Sequence, residues 1–471
     1  MAVDPIILAR LQFAMTIGFH FLFPPISIGL AWLLVFVEGM ALRTGDPVWV
    51  RLGRFFAKLL GLTFVIGVAT GLVMLFQFGT NWASYSRFVG DIFGAPLAAE
   101  AVFAFFLEST FLAIYLFGRD RVTPGIRLLA IWMVAIGTVI SAFFILVANS
   151  WQQTPAGCAV TVAGTGELVS CADAIRDRLA IEGRVVLTSF SEAVFNPSMW
   201  IRFFHVMTAA LVTGAFFMGG VSAYLLLKGG GRDVAARGLR LAIASGFVFA
   251  VISAFPTGHK HGQQVARDQP EKFAAIEGLY TTQQGAPLVL FALPHGKPPA
   301  LKASIEIPNV VSWLAFGDFQ AEVRGIDEFP ADEIPPLWIT FVSFHNMVLL
   351  GLLFQFTMFL GLLLWWKGRL DTSRWYHKML FVVSPLPLAA NQFGWVAAEV
   401  GRQPWTVYRL LRTSDSVSIT VSAGEIIFSL VLIGLVYILL LGLYLFVLLR
   451  EMNHGPEPLP AMINPGNREV A

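Results

Sequence analysis

Nine long apolar runs, separated by short charged connections and two long polar ones, set the limits on how this chain can fold. They lie near residues 12–37, 55–78, 95–118, 126–149, 200–227, 239–255, 338–366, 379–399 and 424–449. A helix crosses a bilayer with about 20 apolar residues, and every run except the shorter sixth reaches that length. Hydrocarbon offers no partner to backbone N–H and C=O groups, so a crossing segment must be helical or part of a closed barrel. The short alternating strands of a barrel are not in the pattern. The expected fold is therefore an all-α polytopic membrane protein of about nine transmembrane helices. A hydrophobic share of 56%, a charged share of 13% and a mean hydropathy of +0.70 exclude an ordinary soluble domain.

Lys and Arg collect in alternate connections: Arg43, Arg51 and Arg54; Arg119, Arg121 and Arg127; Lys228, Arg232, Arg237 and Arg240; Lys367, Arg369, Arg374 and Lys378. The positive-inside rule puts these loops in the cytoplasm, the N-terminus on the periplasmic side and the tail from Arg450 inside. The chain then divides into spans 1–6 over 1–255 with an outer loop at 150–199, a periplasmic loop at 256–337, spans 7–9 over 338–450, and a cytoplasmic tail at 451–471. With Asp4 and no basic region ahead of the first apolar run, a cleaved signal peptide is not expected. The only cysteines, Cys158 and Cys171, share the first outer loop, where an oxidising exterior favours a disulfide; two thiols without neighbouring His fall short of a zinc set. The net charge of +2 and the absence of a basic, aromatic-interleaved run give no sign of nucleic acid.

Ionisable groups inside the apolar runs carry the functional information, since each costs roughly 2.5–3.5 kcal/mol to insert and normally faces a protein interior, a cofactor or an ion path. Glu399 and Arg402, in Gly394-Trp395-Val396-Ala397-Ala398-Glu399-Val400-Gly401-Arg402-Gln403-Pro404-Trp405, are three residues apart and can share a helix face before Pro404 stops the helix. An interfacial ion pair is the plainer alternative. His20, His205 and His345 each fall in the outer half of a span, and Met347 lies two residues after His345; imidazole and thioether are the axial ligand types of haem iron. Glu100 and Glu108 are close to two helical turns apart, within about 80° of one another, which suits a proton relay or a transporter's ion site equally. In the second long loop, Lys272 and Glu277 can flank a small polar headgroup, or belong to a solvated amphipathic helix.

These segments together resemble subunit I of the cytochrome bd family of bacterial quinol oxidases, over nearly the whole chain. Gly401-Arg402-Gln403-Pro404-Trp405 with Glu399, Phe105-Phe106-Leu107-Glu108-Ser109-Thr110, and Gln269-Pro270-Glu271-Lys272-Phe273-Ala274-Ala275-Ile276-Glu277 carry the resemblance. It implies that His205 and Met347 ligate a low-spin haem b, that His20 and Glu399 serve a high-spin haem b and a haem d, and that Lys272 and Glu277 contact quinol. Arg402, Arg10 and Trp395 become cofactor contacts, and Glu100 and Glu108 the inner part of a proton path. It also implies a second large membrane subunit, a small single-span subunit in some assemblies, quinol and dioxygen as substrates, and the bacterial inner membrane as location. Two departures stand out. His345 occupies a position where better-known members have Arg, and the outer loop is short, as in the cyanide-insensitive branch, where a second high-spin haem b can replace haem d. An ion-coupled secondary transporter using Glu100, Glu108 and Glu399 is the rival from another class; it predicts related halves, and no internal repeat is visible.

Overall fold

The computed structural model describes residues 4–119, 121–295 and 300–457. Among them, nine helical segments are long and apolar enough to cross a membrane: Pro5–Thr44, Pro47–Thr80, Gly90–Phe117, Pro124–Gln153, Phe190–Lys228, Arg232–Asp268, Leu337–Trp366, Arg374–Val400 and Ala423–His454. Residues 458–471, most of the expected tail, lie outside the described residues, and the last span continues to His454 rather than ending near Arg450.

Several spans depart from simple rods where proline or a wide turn intervenes. The first breaks after His20, and a second helix starts at Pro24, whose missing N–H costs nothing at a helix start. The eighth is similarly divided, at Ser384-Pro385. In the third span a π-helical turn occupies Glu100–Ala104, and in the sixth another occupies Ser253–Gly258 around Pro256. Proline in a helix removes one bond of the i→i−4 ladder, and a wider turn accommodates it. The sixth helix therefore does not stop at Pro256, as its sequence suggests, but runs on to Asp268.

The two long loops and the 401–422 connection gather on one side of the bundle, here called the loop side. Arg178 of the first loop pairs with Glu333 of the second at 3.1 Å, and Asp332 pairs with Arg412 at 2.5 Å. The first loop forms a three-stranded antiparallel sheet with Cys158–Val162 between Leu168–Ser170 and Ile181–Leu187, and Cys158 and Cys171 are joined by a disulfide, their Cα atoms 5.5 Å apart. The basic connections meet on the opposite side. There Arg51 pairs with Asp233 and Arg240 with Asp371, while buried Glu38 receives Arg119 at 2.9 Å, Arg127 at 3.1 Å and the Tyr115 hydroxyl at 2.9 Å. The alternation of basic loops read from the sequence thus corresponds to two faces of one bundle.

The first and fifth spans meet backbone to backbone at Gly29 and Gly214. A Cβ on Gly29 would come within 2.3 Å of the Ala210 carbonyl oxygen, and one on Gly214 within 2.4 Å of the Gly29 carbonyl carbon. Two backbones in contact leave no side chain to give way, a packing mode typical of small residues in membrane helices. Gly214→Leu should separate these spans and cost at least about 3 kcal/mol, the upper end of overpacking penalties. Thermal unfolding of the detergent-solubilised protein measures it; a midpoint matching the parent's would disprove the tight crossing.

Candidate functional site

On the loop side the fourth span ends in Gln152 and Gln153, and these two side chains organise a buried polar junction. Glu399, at the end of the eighth span, accepts from Arg402 Nη2 at 2.6 Å, from Asn149 Nδ2 at 2.8 Å and from Gln153 Nε2 at 3.4 Å. Arg402 lies just past the helix end and is 6% exposed; it also donates to Gln152 Oε1 at 3.1 Å. The expected pair therefore exists, but it is knitted into the fourth span rather than standing alone at an interface.

The short helix Pro270–Glu277 approaches the same junction. Lys272 Nζ donates to Gln153 Oε1 at 2.6 Å and to Gln269 Oε1 at 2.8 Å, so Gln153 links Lys272 directly to Glu399. Residues 271–277 are all buried, which overturns the solvated amphipathic alternative for this segment. Burial, with Arg202 and Arg402 nearby, holds the Lys272 ammonium well below the usual lysine range. Lys272 and Glu277 do not form a pair: five residues at about 100° each turn them roughly 140° apart. Glu277 Oε2 is buried without a hydrogen-bond partner among the described residues, and burial pushes its carboxyl up to about 7.

Two of the three histidines singled out in the sequence, His20 and His205, share one local design. His20 Nδ1 meets Thr70 Oγ1 at 3.0 Å, and His205 Nδ1 meets Thr257 Oγ1 at 3.3 Å. Each threonine hydroxyl can donate to its own helix, Thr70 to Ile66 and Gly67 carbonyls and Thr257 to Ile252 and Ser253 carbonyls, and so accepts from the ring. That fixes the proton on Nδ1 and turns Nε2 into the lone-pair nitrogen a metal requires. Glycines keep room beside the rings and the thioether: a Cβ on Gly71 would come within 3.1 Å of His20 Cε1, and one on Gly394 within 2.9 Å of Met347 Sδ. Span 6 packs against both span 5, which carries His205, and span 7, which carries Met347.

Residues that sequence reasoning passes over complete the picture. Arg202, one turn before His205, is 3% exposed, and its Nε and Nη2 have no hydrogen-bond partner among the described residues. Such a guanidinium suits the carboxylates of porphyrin propionates. His261 stands edge-on to His205 with ring centroids 5.4 Å apart. Among the described residues no group of three His, Cys, Asp or Glu converges as a bare metal would need, whereas porphyrin iron needs only axial ligands. The tautomer-setting threonines, the glycine clearances and the orphaned Arg202 donors fit haem. Arg10 is exposed and Trp395 is half-buried one turn before Glu399.

The carboxylates of the third span both face the fourth. Glu100 accepts from Ser141 Oγ at 2.8 Å, and the Glu108 Cγ packs on Gly137, where a Cβ would come within 2.6 Å. Positions 137 and 141 are one turn apart, so the expected shared face holds despite the π turn at Glu100. His345 Nδ1 lies 3.0 Å from the Phe341 carbonyl and Nε2 2.8 Å from the Val289 carbonyl, and a neutral imidazole donates to one of the two. It brings the seventh span against the hairpin of Leu288–His295 and Ala300–Ile307.

A helical membrane bundle with isolated, oriented histidines and a buried acid–cation junction defines a membrane-embedded haem protein. Residues 8–456 match the family described as cytochrome bd terminal oxidase subunit I, and the chain belongs to that family. It is 37% identical to a cytochrome bd ubiquinol oxidase subunit 1 of Bacillus subtilis (strain 168), over 99% of both chains. It is also 34% identical to a cytochrome bd-II ubiquinol oxidase subunit 1 of Escherichia coli (strain K12), over 97% of this chain and 98% of the relative. The solved bd oxidase from Geobacillus thermodenitrificans superimposes with a TM-score of 0.85 at 30% identity, over 97% of this chain and 100% of that one. The protein is thus a haem-bearing subunit of a terminal quinol oxidase, a quinol:oxygen oxidoreductase of the bacterial inner membrane that pairs with a second subunit. The transporter alternative is set aside.

Glu277 generates a pH prediction. Its carboxyl titrates near 7 when folded and near 4.5 when unfolded, so between those values the unfolded chain ionises first and folding loses stability as pH rises. Glu277→Gln removes that loss. The variant should match the parent near pH 5 and exceed it at pH 8 by up to about 3 kcal/mol. Thermal midpoints at the two pH values check this; an equal offset at both would contradict it.

Proposed function

We propose that quinol is oxidised on the loop side, which faces the periplasm, and that the protons consumed in forming water come from the cytoplasmic side. The N-terminus is then periplasmic, the C-terminus cytoplasmic, and 256–337 a quinol-binding loop. Turnover separates charge across the membrane without a pumping step. The observation that carries this reading is the direct link from Lys272 through Gln153 to Glu399, which joins the loop helix to the haem-side acid.

His205 and Met347 would hold a low-spin haem b; His20 and Glu399 would serve the high-spin pair, a haem b with a haem d or a second haem b. When bound, these groups supply one-electron steps and an open iron position for dioxygen. Arg202 and Arg402 would neutralise propionates, with Trp395 and Arg10 as further contacts. Lys272 and Glu277 would hold quinol from different sides of one helix. Glu100 and Glu108, lined up along the fourth span, would deliver protons to the interior. A second large subunit, with a small single-span one beside it, would cover the little-buried third, seventh, eighth or ninth spans.

His205→Ala and Met347→Leu should each remove the low-spin b band from the reduced-minus-oxidised spectrum of the complex and cut turnover to about a tenth or less, because electrons lose their entry point. Carbon monoxide binding to the reduced complex should persist, since it reports the open iron. A full low-spin band in His205→Ala rejects the assignment. Arg402→Leu should lower turnover or pigment content, and normal values of both would remove Arg402 from the site.

A further inference from the structure

Glu271 stands immediately before Lys272 and is used by none of the roles above. It is 3% exposed. Its Oε1 accepts from the Tyr408 hydroxyl at 2.7 Å, while Oε2 is buried with no hydrogen-bond partner among the described residues. Burial and the neighbouring Glu271 charge push the Tyr408 phenol well up, so Tyr408 stays a donor and fixes which oxygen is free. A clamp would use both oxygens; a buried acceptor left open costs about 1–3 kcal/mol and calls for another purpose.

A route outward begins at the same carboxylate. Arg409 Nη2 stands 3.7 Å from Glu271 Oε1 and 3.6 Å from Glu333 Oε2, longer than direct hydrogen bonds and of the kind a water commonly bridges. Glu333 is half-buried and pairs at 3.1 Å with Arg178, whose side chain is 46% exposed. Exposure thus rises from the Lys272 neighbourhood to the surface of the loop side along Glu271, Glu333 and Arg178. The guanidiniums cannot relay protons, since Arg remains charged; Arg409 places its positive charge beside both carboxylates.

We propose that Glu271 accepts one of the two protons released by quinol and passes it through Glu333 to the solvent on the loop side. The hydroquinone O–H bond breaks, its proton binds Glu271 Oε2, and the bonding pair remains on the quinone oxygen. The electrons removed from the ring are those the oxidase delivers to dioxygen. The proton then leaves Glu271 for Glu333 and bulk water, which restores the carboxylate. Tyr408 and Arg409 are positioning residues. This rests on the reading that Lys272 borders the quinol.

The assembled oxidase in membranes, supplied with a short-chain benzoquinol, tests it through Glu271→Gln, Glu271→Asp and Lys272→Gln. Glu271→Gln keeps the bond from Tyr408 but cannot take a proton. It should lose about a hundredfold or more in turnover, within the range for general-base removal, with KM within about twofold of the parent, unchanged pigment content and a larger solvent isotope effect in heavy water. Glu271→Asp should restore most of the turnover. Parental turnover in Glu271→Gln overturns the proposal, and so does a loss shared by Glu271→Asp and accompanied by pigment loss, which marks a structural clamp. If Lys272→Gln changes neither KM nor turnover, the quinol site itself is misplaced, a failure separable from that of Glu271.

Discussion

The penalty for holding charge away from water governs this molecule, and its polar interior is the record of how that penalty is met. On the side opposite the loops, both oxygens of Glu38 are filled by two arginines and a tyrosine, while Arg119 Nε and Nη1 have no hydrogen-bond partner among the described residues. On the loop side the corresponding junction is open. Glu399 accepts from three donors and Lys272 has two amide acceptors, yet Arg202, Glu271 and Glu277 each keep a buried polar atom without a hydrogen-bond partner among the described residues. The first arrangement holds helices together; the second has capacity left for propionates, substrate and protons.

Much of the scaffold is legible in the sequence because it rests on local properties. Apolar length marks the spans and the alternating basic loops separate the two faces, while the breaks at Pro24 and Pro385 lie hidden inside the runs 12–37 and 379–399. The Glu399–Arg402 pair is readable for the same reason, since three residues on a helix share a face. What the sequence hides is contact between distant segments. Nothing near Gln153 announces that it will receive Lys272, 119 residues away, and nothing near Glu271 announces Tyr408, 137 residues away. Pro256 misleads because a stop signal yields to a π turn when packing on the fifth span rewards continuation. Arg202 was within reach of sequence reasoning: an arginine one turn before a candidate ligand, at the start of an apolar helix, carries the signal.

The resemblance to known oxidases supplies roles, and the geometry supplies reasons for them. Threonine at 70 and 257 would leave Nε2 of each histidine free for the iron proposed there, and glycine at 71 and 394 explains how close the ring and thioether can lie to neighbouring backbone. His345, where better-known members have arginine, sits between the Phe341 and Val289 carbonyls, so this position here brings the loop hairpin against the seventh span.

The fourth span has a consequence for how such a chain can diverge. It grips Glu100 through Ser141 and Lys272 through Gln153, twelve residues or about 18 Å further along the same rod. A single inserted or deleted residue between them would rotate one grip by about 100° relative to the other, detaching the acid or the lysine. Its length is therefore indexed, and viable changes there must come by substitution or in whole turns, while the loops beyond Gln153 remain free to grow and shrink.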